Sequence, residues 1–72
     1  MIAMKTIGKA FYNGEKEFEI KADVEGNKII QMQPDGVHEG MVWDSEIENE
    51  EDAKEAAKII LESNEGMKFY PN

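Results

Sequence analysis

Residues 7–20 read Ile7-Gly8-Lys9-Ala10-Phe11-Tyr12-Asn13-Gly14-Glu15-Lys16-Glu17-Phe18-Glu19-Ile20, and this stretch decides the fold class. Asn-Gly between two runs of strand-forming residues signals a β-hairpin, because the tight turn that matches strand twist needs positive φ at both central residues. With Tyr12 and Glu15 flanking that turn, Ile7 is expected opposite Ile20, Lys9 opposite Phe18, and Phe11 opposite Lys16. One face then collects Ile7, Phe11, Phe18, Ile20 and Ala22. The other pairs Thr6 with Lys21, Gly8 with Glu19, Ala10 with Glu17, and Tyr12 with Glu15. A sheet with one apolar face and one wet face calls for a second layer on the apolar side alone.

Working outward, a second turn falls at Glu25-Gly26-Asn27. A two-residue loop there would send Ile30 and Met32 to the wet face. A three-residue loop pairs Ala22 with Ile30 and Ile20 with Met32 and keeps the core face apolar, so it is the register expected. The third strand then runs over residues 28–33 and stops at Pro34-Asp35-Gly36, a turn tripeptide. Met41, Trp43 and Ile47 fall on alternate positions of a fourth strand, with Gly40 marking a bulge. The same alternation puts Asp44, Glu46 and Glu48 together on its solvent side. A helix is predicted over residues 50–64. Asn49 is its N-cap, Glu50, Glu51 and Asp52 suit the positive end of the macrodipole, and Gly66 is its C′ residue. Ala53, Ala56, Ala57, Ile60 and Leu61 form one apolar stripe. Met67, Phe69 and Tyr70 make a short last strand before Pro71. The expected architecture is a single α+β domain over residues 1–72. It is a two-layer β-β-β-β-α-β arrangement in which one helix packs on one face of a mainly antiparallel four- to five-stranded sheet.

At 72 residues the core must be small, since a chain of this size buries only about 60% of the surface its unfolded form exposes. The chain has no cysteine, which removes disulfides and thiolate metal sites. No apolar run approaches the length of a bilayer span, and Met1-Ile2-Ala3-Met4-Lys5 lacks the basic-then-apolar order of a signal peptide. A cytoplasmic location is therefore expected, with no membrane partner.

The formal net charge of -8 has a single source. Acids and lysines balance in residues 1–28, and they balance again in residues 54–72. Between Ile29 and Ala53 there is no Lys or Arg, while Asp35, Glu39, Asp44, Glu46, Glu48, Glu50, Glu51 and Asp52 all lie there. Helix entry explains Glu50, Glu51 and Asp52 but not the others. Segregated charge creates a local field that acts on partners. Every basic residue is Lys, so the chain offers no guanidinium for bidentate phosphate or guanine recognition. Direct nucleic-acid binding is not expected.

Few residues invite catalysis. Asp44, Glu46 and Glu48 with Glu55 imitate a calcium loop, but such a loop needs Gly at its sixth position and an aliphatic residue at its eighth, where Asn49 and Glu51 stand. His38 is the only histidine and cannot build a zinc site without cysteine, so no metal or cofactor is expected. Thr6, Ser45 and Ser63 stand in no nucleophile-elbow context, and there is no phosphate-cradling glycine loop. An enzyme is not expected. Trp43 reads first as a core anchor, and Met32, Met41 and Met67 as core filler. A sharper reading makes Trp43 an interface hot spot ringed by acids.

The helix entry Glu50-Glu51-Asp52-Ala53 with Ala56-Ala57 resembles that of the small β-β-β-α-β antitoxin-like domains of the HicB type. No functional residue is carried across on it. The function these residues favour is a small acidic, non-enzymatic interaction protein. It would dock on a basic surface of a partner such as a nucleic-acid-binding protein, as inhibitors from phages and mobile elements do. Glu39, Trp43, Asp44, Glu46 and Glu48 are the expected partner-binding residues, on a monomer or homodimer. The alternatives are an antitoxin-like or regulatory module pairing through a sheet edge, and an accessory structural domain.

Overall fold

A computed structural model describes residues 4–72 of the chain. The reading of Met1–Ala3 as the start of a chain without a signal peptide lies outside them. Five strands and one helix follow in the order β1 (Met4–Tyr12), β2 (Lys16–Asp23), β3 (Lys28–Met32), β4 (Glu39–Asp44), α1 (Glu50–Glu62) and β5 (Met67–Pro71). The strands form one sheet in the order β4-β3-β2-β1-β5, with every neighbouring pair antiparallel. This is the α+β architecture expected. β4 and β5 are its two edges, and α1 carries the chain across one face from the first edge to the second, packing mainly on β5 and β1.

The core lies between α1 and the sheet. Ile7, Ala10, Ile20, Ala22, Ile29 and Phe69 from the strands meet Ala53, Ala57 and Leu61 from the helix, with Ile47 closing the end near the helix entry. Phe18, Trp43, Ala56, Ile60 and Met67 pack against this cluster while half-buried. Alanine at 53 and 57 lets the helix backbone come close to the sheet, and Leu61 seals its far end.

The hairpin register differs from expectation in an instructive way. Asn13 and Gly14 do take positive φ, 54° and 72°, and the Glu15 N–H donates to the Tyr12 carbonyl at 3.0 Å. Yet Tyr12 pairs with Lys16, Phe11 with Glu17, Ala10 with Phe18 and Lys9 with Glu19. The expected register returns only at Thr6↔Lys21, because the pairing shifts between Thr6 and Gly8 and leaves Ile7 in a bulge. One extra residue exchanges the faces of everything beyond it. Ile7 and Ala10 are therefore both fully buried, and Phe11 moves to the face opposite the helix, where its ring meets Tyr70 edge-on at 5.7 Å. Gly8 follows the bulge directly, where β1 faces β5. A Cβ at this position would collide with the Tyr70 carbonyl and lie 2.9 Å from the Phe69 ring and the Pro71 Cα, so only glycine lets β5 close on β1.

The third strand is also displaced from its expected register. Asp23 pairs with Lys28, Ala22 with Ile29, and Lys21 with Ile30, so the β2–β3 loop has four residues and not three. The Asp23 carboxylate accepts the Gly26 N–H at 2.9 Å and Asn27 takes φ 56°, a turn that needs the extra residue. Ile29 thus faces the helix. Ile30, paired with Lys21 and Val42, and Met32, paired with Glu39, lie on the other face, yet each is only 2% exposed. β3 is buried on both sides, so burial alone could not assign its faces.

The bulge at Gly40 is present, since Met41 pairs with Gln31 but Glu39 pairs with Met32. β4 is otherwise shallower than expected. Met41 is 56% exposed and does not fill the core, and the strand ends at Asp44, before Ile47. The helix starts at Glu50 on its expected Asn49 cap, whose side chain accepts the Asp52 N–H at 2.9 Å. It ends at Glu62 and not Asn64, with Ser63 as C-cap. Gly66, at φ 87°, belongs instead to the turn into β5, and its carbonyl accepts the Asn13 N–H at 2.8 Å.

Candidate functional site

The acidic tract is held by one residue of the opposite loop. The Asn27 carbonyl accepts the Ser45 N–H at 2.8 Å, and its side-chain oxygen accepts the Ile47 N–H at 3.2 Å. The first bond carries the β3–β4 register one residue past Asp44, and the second draws the chain over the β2–β3 turn, so that Ile47 enters the core at 4% exposure. Ser45, Glu46 and Ile47 are irregular, not strand. Glu46 and Glu48 therefore do not continue a row with Asp44 on one face of β4, as alternation had suggested. They stand exposed on a linker that runs from the sheet edge to the helix N-terminus.

Glu39 is separated from the others. It lies at the opposite end of β4, roughly 15 Å of strand from Asp44. Asp44, Glu46 and Glu48 follow one another along the chain from the end of β4 to the helix entry, whereas Glu39 lies beyond the Gly40 bulge. Trp43 stands between them, half-buried against the core and paired with Ile29, so only part of its ring is open to a partner.

Several of the acids are paired, two of them with lysines distant in sequence. Lys28, directly opposite Asp44 on β3, donates to its carboxylate at 2.7 Å. That hydrogen bond first, and the Lys28 charge second, hold the Asp44 carboxyl below its ordinary range and raise Lys28. Lys5 bonds Glu50 at 3.1 Å and Lys54 lies 3.6 Å from Glu51. Asp35 accepts from the Val37 and His38 N–H groups at 2.8 and 3.0 Å and meets the His38 ring at 2.6 Å. Its carboxyl is lowered, chiefly by the His38 N–H and ring and then by the Val37 N–H. Asp52 accepts the Glu48 N–H at 3.2 Å and so helps close the helix entry. Among the described residues, Glu39, Glu46 and Glu48 have no ion-pair partner.

Groups that could do chemistry are turned elsewhere. The Thr6 hydroxyl donates to Glu19 at 2.7 Å and the Ser63 hydroxyl to the Ile60 carbonyl at 2.6 Å, while His38 is engaged with Asp35. Among the described residues no cluster of three His, Asp or Glu side chains could hold a metal ion. An apolar concavity of about 480 Å³ lies beside the helix entry between Met4, Ile7, Ala22 and Val24, with Lys5 and Glu50 bonded to each other at its rim. No helix among the described residues is long and apolar enough to cross a membrane, which says nothing of a β-barrel.

The two sheet edges differ in character. β5 carries Lys68 and ends in Pro71, both of which discourage strand addition. β4 has neither, and it exposes Met41 and Val42, at 56% and 45%, between Glu39 and Asp44. Sequence reasoning named the acids but missed these two residues. The exchange of hydrophobic for exposed positions at a bulged edge was their only available signal. Comparison of the chain with family models, with curated proteins and with solved structures finds no match.

Proposed function

We propose that this chain is a small non-enzymatic interaction protein that docks through its acidic side on a basic surface of a partner, such as that of a nucleic-acid-binding protein, in the manner of a phage or mobile-element inhibitor. The observation that supports this reading best is the run Asp44, Glu46 and Glu48 beside the open β4 edge, of which Glu46 and Glu48 are exposed and have no ion-pair partner among the described residues. Like charges gathered on a small rigid surface repel one another in the free protein and become favourable when a cationic partner neutralises them. Asp44 is the intermediate case, since a partner's cation must compete with Lys28 for it. No direct binding of nucleic acid belongs to this reading, because counterion release needs a basic patch. A cytoplasmic site of action suits a chain without cysteine.

The test is capture of a purified basic nucleic-acid-binding protein at low and at high salt, with duplex DNA as competitor. Capture should fade as salt rises, yield to the DNA, and vanish for the variant carrying Asp44→Asn, Glu46→Gln and Glu48→Gln. Capture by that variant with unchanged salt dependence overturns the reading. A second reading, a regulatory or antitoxin-like module pairing through a sheet edge, is favoured by the exposure of Met41 and Val42 on β4.

A further inference from the structure

We propose that the outer edge of β4 takes up an extended segment as a sixth strand, and that this segment is basic at both ends and apolar between. The inference rests on the acidic docking proposed above and names how the partner engages. Its basis is the orientation of the β4 backbone. In an antiparallel ladder the N–H and C=O of successive residues point alternately toward one neighbour and then the other. The Ser45 N–H bonds the Asn27 carbonyl on the β3 side. Counting back, Trp43 and Met41, paired with Ile29 and Gln31, turn their backbone groups toward β3, and Val42 and Asp44 turn theirs outward. Those outward groups are a ready template for another strand.

The side chains set the chemistry of that strand. Along β4 the order is Glu39, Gly40, Met41, Val42, Trp43, Asp44, an exposed apolar centre with a carboxylate at each end. An added antiparallel strand places one residue opposite each of these ends, where Lys or Arg is favoured, and apolar or β-branched residues opposite the centre. A second copy of this chain fits badly. Antiparallel β4–β4 pairing would set Glu39 of each copy against Asp44 of the other, and directly opposed like charges destabilise a strand pair. β5, with Lys68 and Pro71, lacks both the charge and the unbroken donor row.

The probe is the peptide acetyl-Lys-Thr-Val-Thr-Val-Lys-amide, titrated into the protein and followed by amide resonances and amide exchange. The expected result is slowing of Val42 and Asp44 exchange by about tenfold or more, with loss of binding for a peptide of the same charge methylated on alternate backbone nitrogens. Val42→Pro removes only an outward donor and should weaken binding by about tenfold, whereas Val42→Thr should keep it. Equal binding of the methylated peptide overturns strand addition while leaving electrostatic docking intact. Binding of neither peptide counts against both. Val42 protection that grows with protein concentration in the absence of peptide gives the edge to a second copy, and shifts centred on Lys68 and Tyr70 give the site to β5. Either result overturns the proposal.

Discussion

Asn27 and Ile47 are joined by a hydrogen bond of 3.2 Å, from the Ile47 N–H to the Asn27 side-chain oxygen. A turn residue between β2 and β3 thereby sets the path of the acidic linker between β4 and α1. Asn27 also holds φ 56°, which asparagine tolerates better than most residues. Asn27→Gly keeps that conformation and loses the side-chain bond, so it should destabilise by about 1 kcal/mol in urea unfolding. Asn27→Ala loses both and should cost more. Equal stability of the two variants would show that the backbone conformation contributes nothing.

The bulge at Ile7 decides which side chains of β1 build the core. Ile7→Ala should cost about 2–5 kcal/mol, because Ile7 is fully enclosed. Phe11 stands on the far face against Tyr70, so Phe11→Ala should lose much less, on the order of the 0.5–1.5 kcal/mol of an aromatic pair. Thermal or chemical unfolding of the two variants checks this. A larger loss from Phe11→Ala would restore the unbulged register.

Much of this fold was legible. The Asn13-Gly14 turn, the helix start at Glu50 on its Asn49 cap, the apolar stripe Ala53, Ala57 and Leu61, and the bulge at Gly40 all follow from local rules. Register was not, because it depends on single-residue insertions that leave little trace in periodicity. Gly8 lies within a strand just as Gly40 does, and the same reasoning applied to it would have moved Phe11 off the core. Ile30 and Met32 misled because β3 is buried on both sides. For the acidic tract, alternation places Asp44, Glu46 and Glu48 in a row, but β4 ends at Asp44 and the Asn27 side chain takes the Ile47 N–H beyond it. Pairing of Lys28 with Asp44 depends on β3–β4 register and is invisible to a tally of charges along the chain.

Helix entry supplies a local test. The Asn49 side chain accepts the Asp52 N–H, and Asp52 in return accepts the Glu48 N–H. Asn49→Ala should destabilise by about 1 kcal/mol. Asp52→Asn keeps an acceptor but removes a charge from the first turn, where it favours the dipole, and should cost less. Urea midpoints rank the two.

Acidification should weaken the fold through groups that are lowered in the native state. The Glu62 carboxyl is held down mainly by the Phe69 N–H that it accepts at 3.0 Å, and Asp44 and Asp35 by their bonds to Lys28 and to His38. A group whose native value is lowered binds its proton less readily when folded. Its contribution is full above the ordinary carboxylate range, about 4, and is lost as pH falls through the lowered value. Melting temperature should therefore hold from neutral pH to about 5 and decline below 4. In Glu62→Gln that decline should be smaller, since the amide cannot take up the proton.

Asp44 and Glu46 are two residues apart and should respond to neutralisation in opposite directions. Asp44 faces Lys28 across the β3–β4 ladder at 2.7 Å, so Asp44→Asn removes an attraction and leaves Lys28 without its partner. Glu46 stands exposed on the linker between Asp44 and Glu48, with no ion pair of its own among the described residues. Glu46→Gln therefore removes repulsion and little else. At low ionic strength Asp44→Asn should lower the melting temperature and Glu46→Gln should hold or raise it. Both effects arise between exposed charges, which salt screens over about 8–10 Å at physiological strength and about 3 Å at 1 M. The gap between the two variants should accordingly narrow as sodium chloride is raised toward about 1 M. A gap that persists at high salt would place the difference in packing or backbone geometry at Asp44 and not in charge. A destabilising Glu46→Gln would mean that Glu46 serves the fold, and the repulsion invoked for docking would then be absent from the free protein.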